Sequence, residues 1–468
     1  MSEKRFIRFS LLPAVIALAW PTMLEQLMQT AVQYIDTAMV GALGTEATAA
    51  VGSTTTVNWL IGSTISAFGV GFLAFIARAL GAGENDRARR ASAQSVLFTV
   101  VIGVFVTAVT LSLSGLIPGW MQVDPAIRKT ASAYFFVLYL PMLPRTATIV
   151  FGTVLRSAGD SKTPMFVGLG INVLNVILNF LFIYEPRFVT VFGREVFLWG
   201  LGWGVVGAAA ASAVSFTLGG VAITVTLFKH KKVSPAGISL KPDKSIISPV
   251  MRVAFPNMLQ RFGTSFGYVA FAAMINSLGG MPTAAHTIAN TVESAFYIPG
   301  YGMMTAAATL TGNAIGANDR QEVKDLARVI TLVEVVLMVV SGALLFVFAP
   351  SMARLFSKDA AVIALAATVL RMVACSEPFF GVGIVVEGML EGAGQTVAPF
   401  IFNIIGMWGI RILGTFICLK LFGLGLEAAW ACMIAHNLVL FAMFVIYYAR
   451  GKWNPIGKGE KTTVAGEV

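Results

Sequence analysis

The chain is 468 residues long, 57% apolar and 12% charged, with a mean hydropathy of +0.80. Soluble globular domains carry about 25% charged residues, so this composition excludes one and makes lipid the solvent of the fold. The net charge of +10 would suit a nucleic-acid ligand, but the charges sit in short breaks between apolar stretches rather than on a polar domain.

A helix crossing ~30 Å of hydrocarbon needs roughly 20 apolar residues. Twelve such stretches are predicted, near 12–40, 50–77, 92–117, 130–154, 164–184, 200–228, 247–277, 284–312, 327–349, 360–388, 398–422 and 426–448. The alternating pattern of a barrel strand is absent, which leaves an all-α polytopic membrane fold. Arg5 and Arg8 ahead of Leu11 to Trp20 imitate a secretory signal, with Ala17-Leu18-Ala19 as a mock cleavage site. The apolar run continues to Val40, so it is read as an uncleaved first span.

Span 1 carries Pro21, Glu25, Gln33 and Asp36. Asp36 follows Pro21 by fifteen residues, about 22 Å along a helix. A carboxylate at the centre of a span costs about 2.5–3.5 kcal/mol on insertion scales. Asp36 is therefore either an ion or proton site or a helix-end carboxylate reached by outside water. Glu25 is a second proton carrier or a polar cleft residue, and Gln33 is a further cleft candidate. In span 4, Tyr134 and Tyr139 read as packing residues whose hydroxyls could reach a cleft.

Span 5 holds Asn172, Asn175 and Asn179 at i, i+3 and i+7, one helical face. Such a stripe is interhelical hydrogen-bond glue, worth about 1 kcal/mol per contact, or a set of carbonyls able to complete a hard-cation shell or hold a protonated Asp. Ser212, in the small-residue run Gly207 to Ala213 of span 6, could add a hydroxyl. Segment 229–246, with Lys231, Lys232, Pro235, Gly237, Pro242 and Lys244, reads as a cytoplasmic linker long enough to permit movement. It divides a first lobe, 1–228, from a second, 247–450, ahead of a tail, 451–468.

In the second half His286, Asn290, Glu293, Glu377 and Arg411 are polar, but no pair has metal-site spacing. His286 reads as a helix-end residue, and Arg411 as the one basic residue obviously mid-span. Cys375, Cys418 and Cys432 lack CxxC spacing and read as packing residues. The 20 Met and 34 Phe would suit a cleft that binds apolar compounds promiscuously. Gly200-x-Gly202-x-Gly204 lacks the flanking strand of a dinucleotide fold, and neither GxxxxGK[ST] nor HExxH occurs. A membrane enzyme, an ATP-driven pump and a metal or organic cofactor are accordingly not expected.

Sliding the chain by 235 positions superposes Ala19, Pro21, Met23 and Leu24 on Ala254, Pro256, Met258 and Leu259. Residues 19–82 match 16 of 64 positions, and Leu155, Ala158, Gly159 and Pro164 fall on Leu390, Ala393, Gly394 and Pro399 in the same register. The chain is thus read as a duplication, with two parallel six-helix lobes in pseudo-symmetry around a central cleft. The lobes are unequal: Phe271 stands where Asp36 does, and Met407, Ile410 and Gly414 stand where the amides do, which disfavours a passive channel. With an inside N-terminus, 21 basic residues fall on the cytoplasmic side and 7 opposite, so both termini are placed in the cytoplasm.

These features resemble the multidrug and toxic compound extrusion (MATE) family, in particular its DinF-like prokaryotic branch. The resemblance rests on Asp36-Thr-Ala-Met-Val-Gly41 with Leu43-Gly44, Arg156-Ser-Ala-Gly-Asp-Ser-Lys-Thr-Pro164, Asn172-Val-Leu-Asn175, Gly204-Val-Val-Gly-Ala-Ala209, Ala284-Ala-His286 and Gly312-Asn-Ala-Ile-Gly-Ala317. It implies a monomeric exporter in a prokaryotic inner membrane, moving amphipathic, often cationic compounds in exchange for H+ or Na+. Asp36 matches the first-lobe acidic residue, Asn175 its partner amide and Ser212 a position that often carries Thr. Asn179 departs from a position that often holds a second Asp, and Thr264 from one where another branch carries Glu. One carboxylate in place of two weakens a Na+ site, so H+ is favoured, with Asp36 as the only residue expected to hold Na+. Neutralising Asp36 would let span 1 bend near Pro21. A flippase for a lipid-linked precursor is the alternative, and it would need several basic residues in the cleft.

Overall fold

The computed structural model describes residues 8–121, 123–191, 194–451 and 453–456. Most of the tail expected at 451–468 lies outside the described residues, as do Lys4 and Arg5.

A 3-10 turn, Phe9–Leu11, leads into α1 (Leu12–Gly41), followed by α2 (Thr45–Gly81), α3 (Asn85–Leu113), the short α4 (Ile117–Trp120), α5 (Pro125–Tyr139), α6 (Met142–Ser157) and α7 (Lys162–Phe182). Strands β1 (Arg187–Val191) and β2 (Arg194–Leu198) form an antiparallel hairpin, Arg187 opposite Leu198, before α8 (Gly204–Lys229). A strand therefore does precede Gly200, contrary to expectation, but it belongs to a two-stranded hairpin and not to a parallel nucleotide-binding unit.

The chain continues with α9 (Lys244–Asn276), α10 (Gly280–Gly316), α11 (Arg320–Phe356), α12 (Ala360–Ala374) and α13 (Glu377–Gly392). Next come α14 (Val397–Ile404), a π-helical stretch Ile405–Ile412, α15 (Leu413–Phe416), a second π turn Ile417–Leu421, and α16 (Leu426–Ala449).

Among the described residues eight helices are long and apolar enough to cross a membrane, and the bent pairs α5 with α6 and α12 with α13 raise this to as many as ten. The two remaining predicted spans, α9 and α10, are 33 and 37 residues long. Asn257, Gln260 and Arg261 interrupt the first and Glu293 the second, so neither reads as simply apolar.

The 235-residue register recurs in the backbone. Thr45–Gly81 returns as Gly280–Gly316, Pro125–Tyr139 as Ala360–Ala374, and Met142–Ser157 as Glu377–Gly392. Both broken helices bend at the same place, by 50° and 53°. Pro141 and Pro144 lie at the first break and Pro378 at the second, and a proline removes a helical donor. The N-caps match as well: Asp124 accepts from Ala126 N at 2.9 Å, and Asp359 from Ala361 N at 2.8 Å.

The helices gather into two compact units. One comprises Met1–Trp20, Leu73–Ala88 and Pro249–Val468, and the other Pro21–Phe72 and Arg89–Ser248. In the first, fully buried Trp430 packs with Phe271, Ile275 and Leu345. Its indole N–H donates to His286 Nδ1 at 3.3 Å, and His286 sits half-buried in the second turn of α10. In the same unit Gly81 lies against the backbone of Asn313, and Gly316 against that of Arg78.

In the second unit Phe98 packs against Phe68 and Phe72, with ring centroids 4.6 and 5.8 Å away. Side chains of α3 tie down the segment after α8. Arg89 donates to Ser234 O and Ala236 O at 3.1 and 2.9 Å, and Gln94 donates to Lys241 O at 2.8 Å while accepting from Asp243 N at 3.2 Å.

Candidate functional site

The amide stripe of α7 turns toward α1 and α8 within the second unit. Asn179 Nδ2 donates to Asp36 Oδ1 at 2.6 Å and to Asn175 Oδ1 at 3.2 Å, and Asn175 lies 3.0 Å from Ser212 Oγ. Turning the Asn175 amide over places its nitrogen 2.9 and 3.1 Å from the two Asp36 oxygens and its oxygen 3.0 Å from Ser212 Oγ. That orientation suits Asp36 and Ser212, at the cost of the bond from Asn179 Nδ2. Three helices thus contribute one carboxylate, two amides and one hydroxyl to a single network.

The network has an acceptor to spare. Asn179 is 1% exposed, yet its Oδ1 meets no donor among the described residues. Buried amide oxygens almost always find a partner, so this atom is left as an open acceptor in the network. Tyr184 braces the same corner, its hydroxyl donating to Met39 O at 3.0 Å.

The other expected residues are placed differently. Asn172 is half-buried and joins none of these hydrogen bonds among the described residues. Glu25 forms an ion pair with Arg156, Oε2 to Nη2 2.5 Å. Gln33 is exposed, and its carbonyl accepts from Thr37 Oγ1 at 2.8 Å. Tyr139 is buried, stacked on Phe135 at 4.2 Å, with its hydroxyl donating to Asn58 Oδ1 at 3.2 Å. Tyr134 is also buried, and Pro21 lies inside α1.

Several polar groups escaped the sequence reading. Arg145 and Arg261 join Arg411 inside helices, correcting the expectation of a single mid-span arginine. Arg145 stacks over Phe216 at 4.8 Å, Arg261 donates to Asn257 Oδ1 at 2.9 Å, and Arg411 stacks over Phe271 at 4.4 Å. In the first unit Gln260 and Asn403 donate to Glu387 at 2.6 and 3.2 Å, and Asn257 donates to Glu391. Glu334 is fully buried between Gly300 and Gly381, and neither of its carboxyl oxygens meets a donor among the described residues. The rule that singled out Asp36, a charge inside an apolar stretch, applies equally to Glu334 and would have found it. Among the described residues no group of three or more His, Cys, Asp or Glu could hold a metal.

The long apolar helices define a mostly α-helical, polytopic membrane protein. The MatE family profile matches residues 21–181 and 256–417, two segments in the register of the duplication. The chain belongs to the MatE family, which is one of transporters and not of enzymes.

Among its relatives is the probable multidrug resistance protein NorM of Thermotoga maritima, 29% identical over 439 residues that span 94% of this chain and 92% of that one. Another is the multidrug export protein MepA of Staphylococcus aureus, 25% identical over 82% of each chain. In three dimensions the chain resembles a MATE crystallised in complex with MaD3S, with a TM-score of 0.87 and 24% identity over 95% of this chain and 96% of that one. It also resembles a MOP superfamily transporter from Pyrococcus furiosus described as having a binding pocket of reverse polarity, with a TM-score of 0.85 and 23% identity over 95% and 96%. At these identities the structural likeness shows the fold alone.

Proposed function

We propose that the protein is a secondary active multidrug antiporter that exports amphipathic, often cationic compounds in exchange for H+, with Na+ the less favoured ion. The observation that carries this reading is the contact of Asn179 Nδ2 with Asp36 Oδ1 at 2.6 Å, beside an Asn179 Oδ1 that has no partner among the described residues. The relatives named multidrug resistance and multidrug export proteins support the substrate class. Asp36 is the coupling carboxylate, with Asn175, Asn179 and Ser212 as its shell, and it ties the chain to the DinF-like branch. Glu25, Gln33, Tyr134, Tyr139 and Asn172 are assigned to substrate contact.

In this reading a proton on Asp36 cancels its charge and redirects the Asn179 amide. Span 1 then bends at Pro21, where the helix lacks a donor and where the compact units divide, between Trp20 and Pro21. One proton brings ~2.3 kcal/mol per 100 mV and ~1.4 kcal/mol per pH unit, enough for a roughly hundredfold substrate gradient. The same proposal holds that the chain is a monomer in a prokaryotic inner membrane, with twelve spans in two six-helix lobes, 1–228 and 247–450, the linker 229–246 and both termini cytoplasmic.

The test is efflux of a fluorescent cationic dye from proteoliposomes, wild type against Asp36→Asn, with pH and Na+ gradients imposed separately. Gradient-driven efflux that survives in Asp36→Asn removes the coupling assignment. Arg145, Arg261 and Arg411 favour a second reading, a flippase for an anionic lipid-linked precursor, and failure of every amphipathic substrate would support it.

A further inference from the structure

Three span ends meet on one side of the second compact unit: the C-terminus of α6, the N-terminus of α7 and the C-terminus of α8. Between them lies a wide-open cavity of about 420 Å³. Its wall is the turn Ala158–Asp160 on one side, and Lys229, His230, Lys231 and Lys232 on the other. Gly159 holds its turn open at a positive φ of 86°.

The basic wall is a built surface rather than a loose run of charges. Lys232 N and Val233 N both donate to His230 Nδ1, at 3.3 and 3.4 Å. Ser234 Oγ donates to Phe228 O at 2.6 Å, and Arg89 grips Ser234 O and Ala236 O from α3. Fully buried Val233 anchors the turn from beneath. Lys229, Lys231 and Lys232 remain exposed, so their ammonium groups are carried on a fixed backbone and the ordering cost of binding is that of the side chains alone.

We propose that this cavity seats the headgroup of an anionic phospholipid of the phosphatidylglycerol class. Three lysines against the one carboxylate, Asp160, leave a net positive surface, and a phosphodiester anion is its complement. Asp160 Oδ1 already accepts from Thr163 N at 3.0 Å at the start of α7, and the rest of that carboxylate is suited to a headgroup hydroxyl rather than to a second phosphate charge. The position at the ends of three spans is where a headgroup lies while its acyl chains run along the apolar helices, and lysine stems bridge the two environments. Basic residues just beyond a span are attracted to anionic lipid in this way. The inference goes beyond the antiport reading and stands or falls independently of Asp36.

The test is native mass spectrometry of the full-length protein in detergent, titrated with phosphatidylglycerol or with phosphatidylcholine of the same chains. Wild type is expected to take up the anionic lipid with roughly tenfold preference. The triple variant Lys229→Gln/Lys231→Gln/Lys232→Gln should lose most of that preference, while Lys358→Gln, which neutralises a lysine elsewhere, should keep it. An unchanged thermal midpoint shows that the triple variant is folded, and if it is not, Lys231→Gln and Lys232→Gln singly should each lower the preference. The proposal is overturned if the triple variant keeps the preference, if wild type has none, or if millimolar inorganic phosphate displaces the lipid completely.

Discussion

Gly81 and Gly316 occupy equivalent positions of the duplicated sequence, and each abuts the backbone of the other's helix, Gly81 at Asn313 and Gly316 at Arg78. Arg78 and Asn313 are themselves equivalent under the 235-residue shift, so α2 and α10 cross through a contact that repeats itself. Ala77 and Gly312 form the next rung, since a Cβ on Gly312 would lie 2.9 Å from that of Ala77.

Because backbone cannot move aside as a side-chain tip can, Gly316→Val should destabilise by about 1–3 kcal/mol, the usual range for overpacking. Gly62→Ala, in open space on α2, should be neutral or stabilising, as Ala replaces Gly in a helix. Thermal unfolding midpoints in detergent separate the two.

Restoring a second carboxylate beside Asp36 should change the ion. Asn179→Asp supplies Na+ with a second anionic ligand, although the paired carboxylates also hold a proton more tightly. Efflux driven by a Na+ gradient at clamped pH should rise relative to efflux driven by a pH gradient. No change in the ratio of the two would count against a cation shell at this corner.

The Glu25–Arg156 pair leaves its side chains only 22% and 15% exposed. Glu25→Gln should therefore cost about 1.5–3 kcal/mol, the worth of a hydrogen bond to a charged group. Gly168 lies against the Glu25 side chain, leaving little room for rearrangement. The exchange Glu25→Arg with Arg156→Glu should recover part of the loss in the same thermal assay, whereas a purely steric role would not be rescued.

Glu334 offers the opposite expectation. Its carboxyl oxygens meet no donor among the described residues, and a buried polar group without a partner is a liability of about 1–3 kcal/mol. Glu334→Met should raise the unfolding midpoint if the carboxyl is merely tolerated. Higher stability accompanied by lost transport would instead identify a carboxyl retained for function.

Acid should loosen the basic turn after α8. Burial holds the His230 imidazole below its ordinary value, with Asp160 opposing and Lys232 adding to the depression. The neutral ring accepts from Lys232 N and Val233 N, and protonation of Nδ1 removes that capacity. As pH falls through about 6.5, the open turn takes up a proton that the closed turn refuses, so the closed form loses stability until its own lower pKa is passed. Hydrogen exchange of the 228–234 segment should quicken on going from pH 8 to pH 5, and in His230→Ala it should be quick throughout once intrinsic exchange rates are corrected.

Much of this architecture is legible in the chain because membrane helices announce themselves by length and apolarity. Asp36, Asn175, Asn179 and Ser212 are found together because each is polar in an apolar stretch and the helical period sets Asn175 and Asn179 beside the same neighbour. The period could not tell that Asn172 stands apart, since that depends on where α1 ends its approach to α7. The hairpin at Arg187–Leu198 escaped notice because five-residue strands carry too few residues to show a period. Glu387 and Glu391 gain meaning only from Gln260 and Asn257, more than a hundred residues away in sequence. The bends after Tyr139 and Ala374 were hidden inside single apolar runs, although the prolines beside them were in plain view.

The π-helical winding of Ile405–Ile412 bears on any attempt to transplant the ion site. Bonds from i to i+5 lengthen the helical repeat, so residues at i, i+3 and i+7 fan apart instead of lining one face. Asparagines introduced at Met407 and Ile410 would therefore diverge, while Gly414 lies beyond the π stretch, in α15. The duplicated copy has lost the geometry as well as the side chains, and returning the chemistry to it would first require unwinding its backbone.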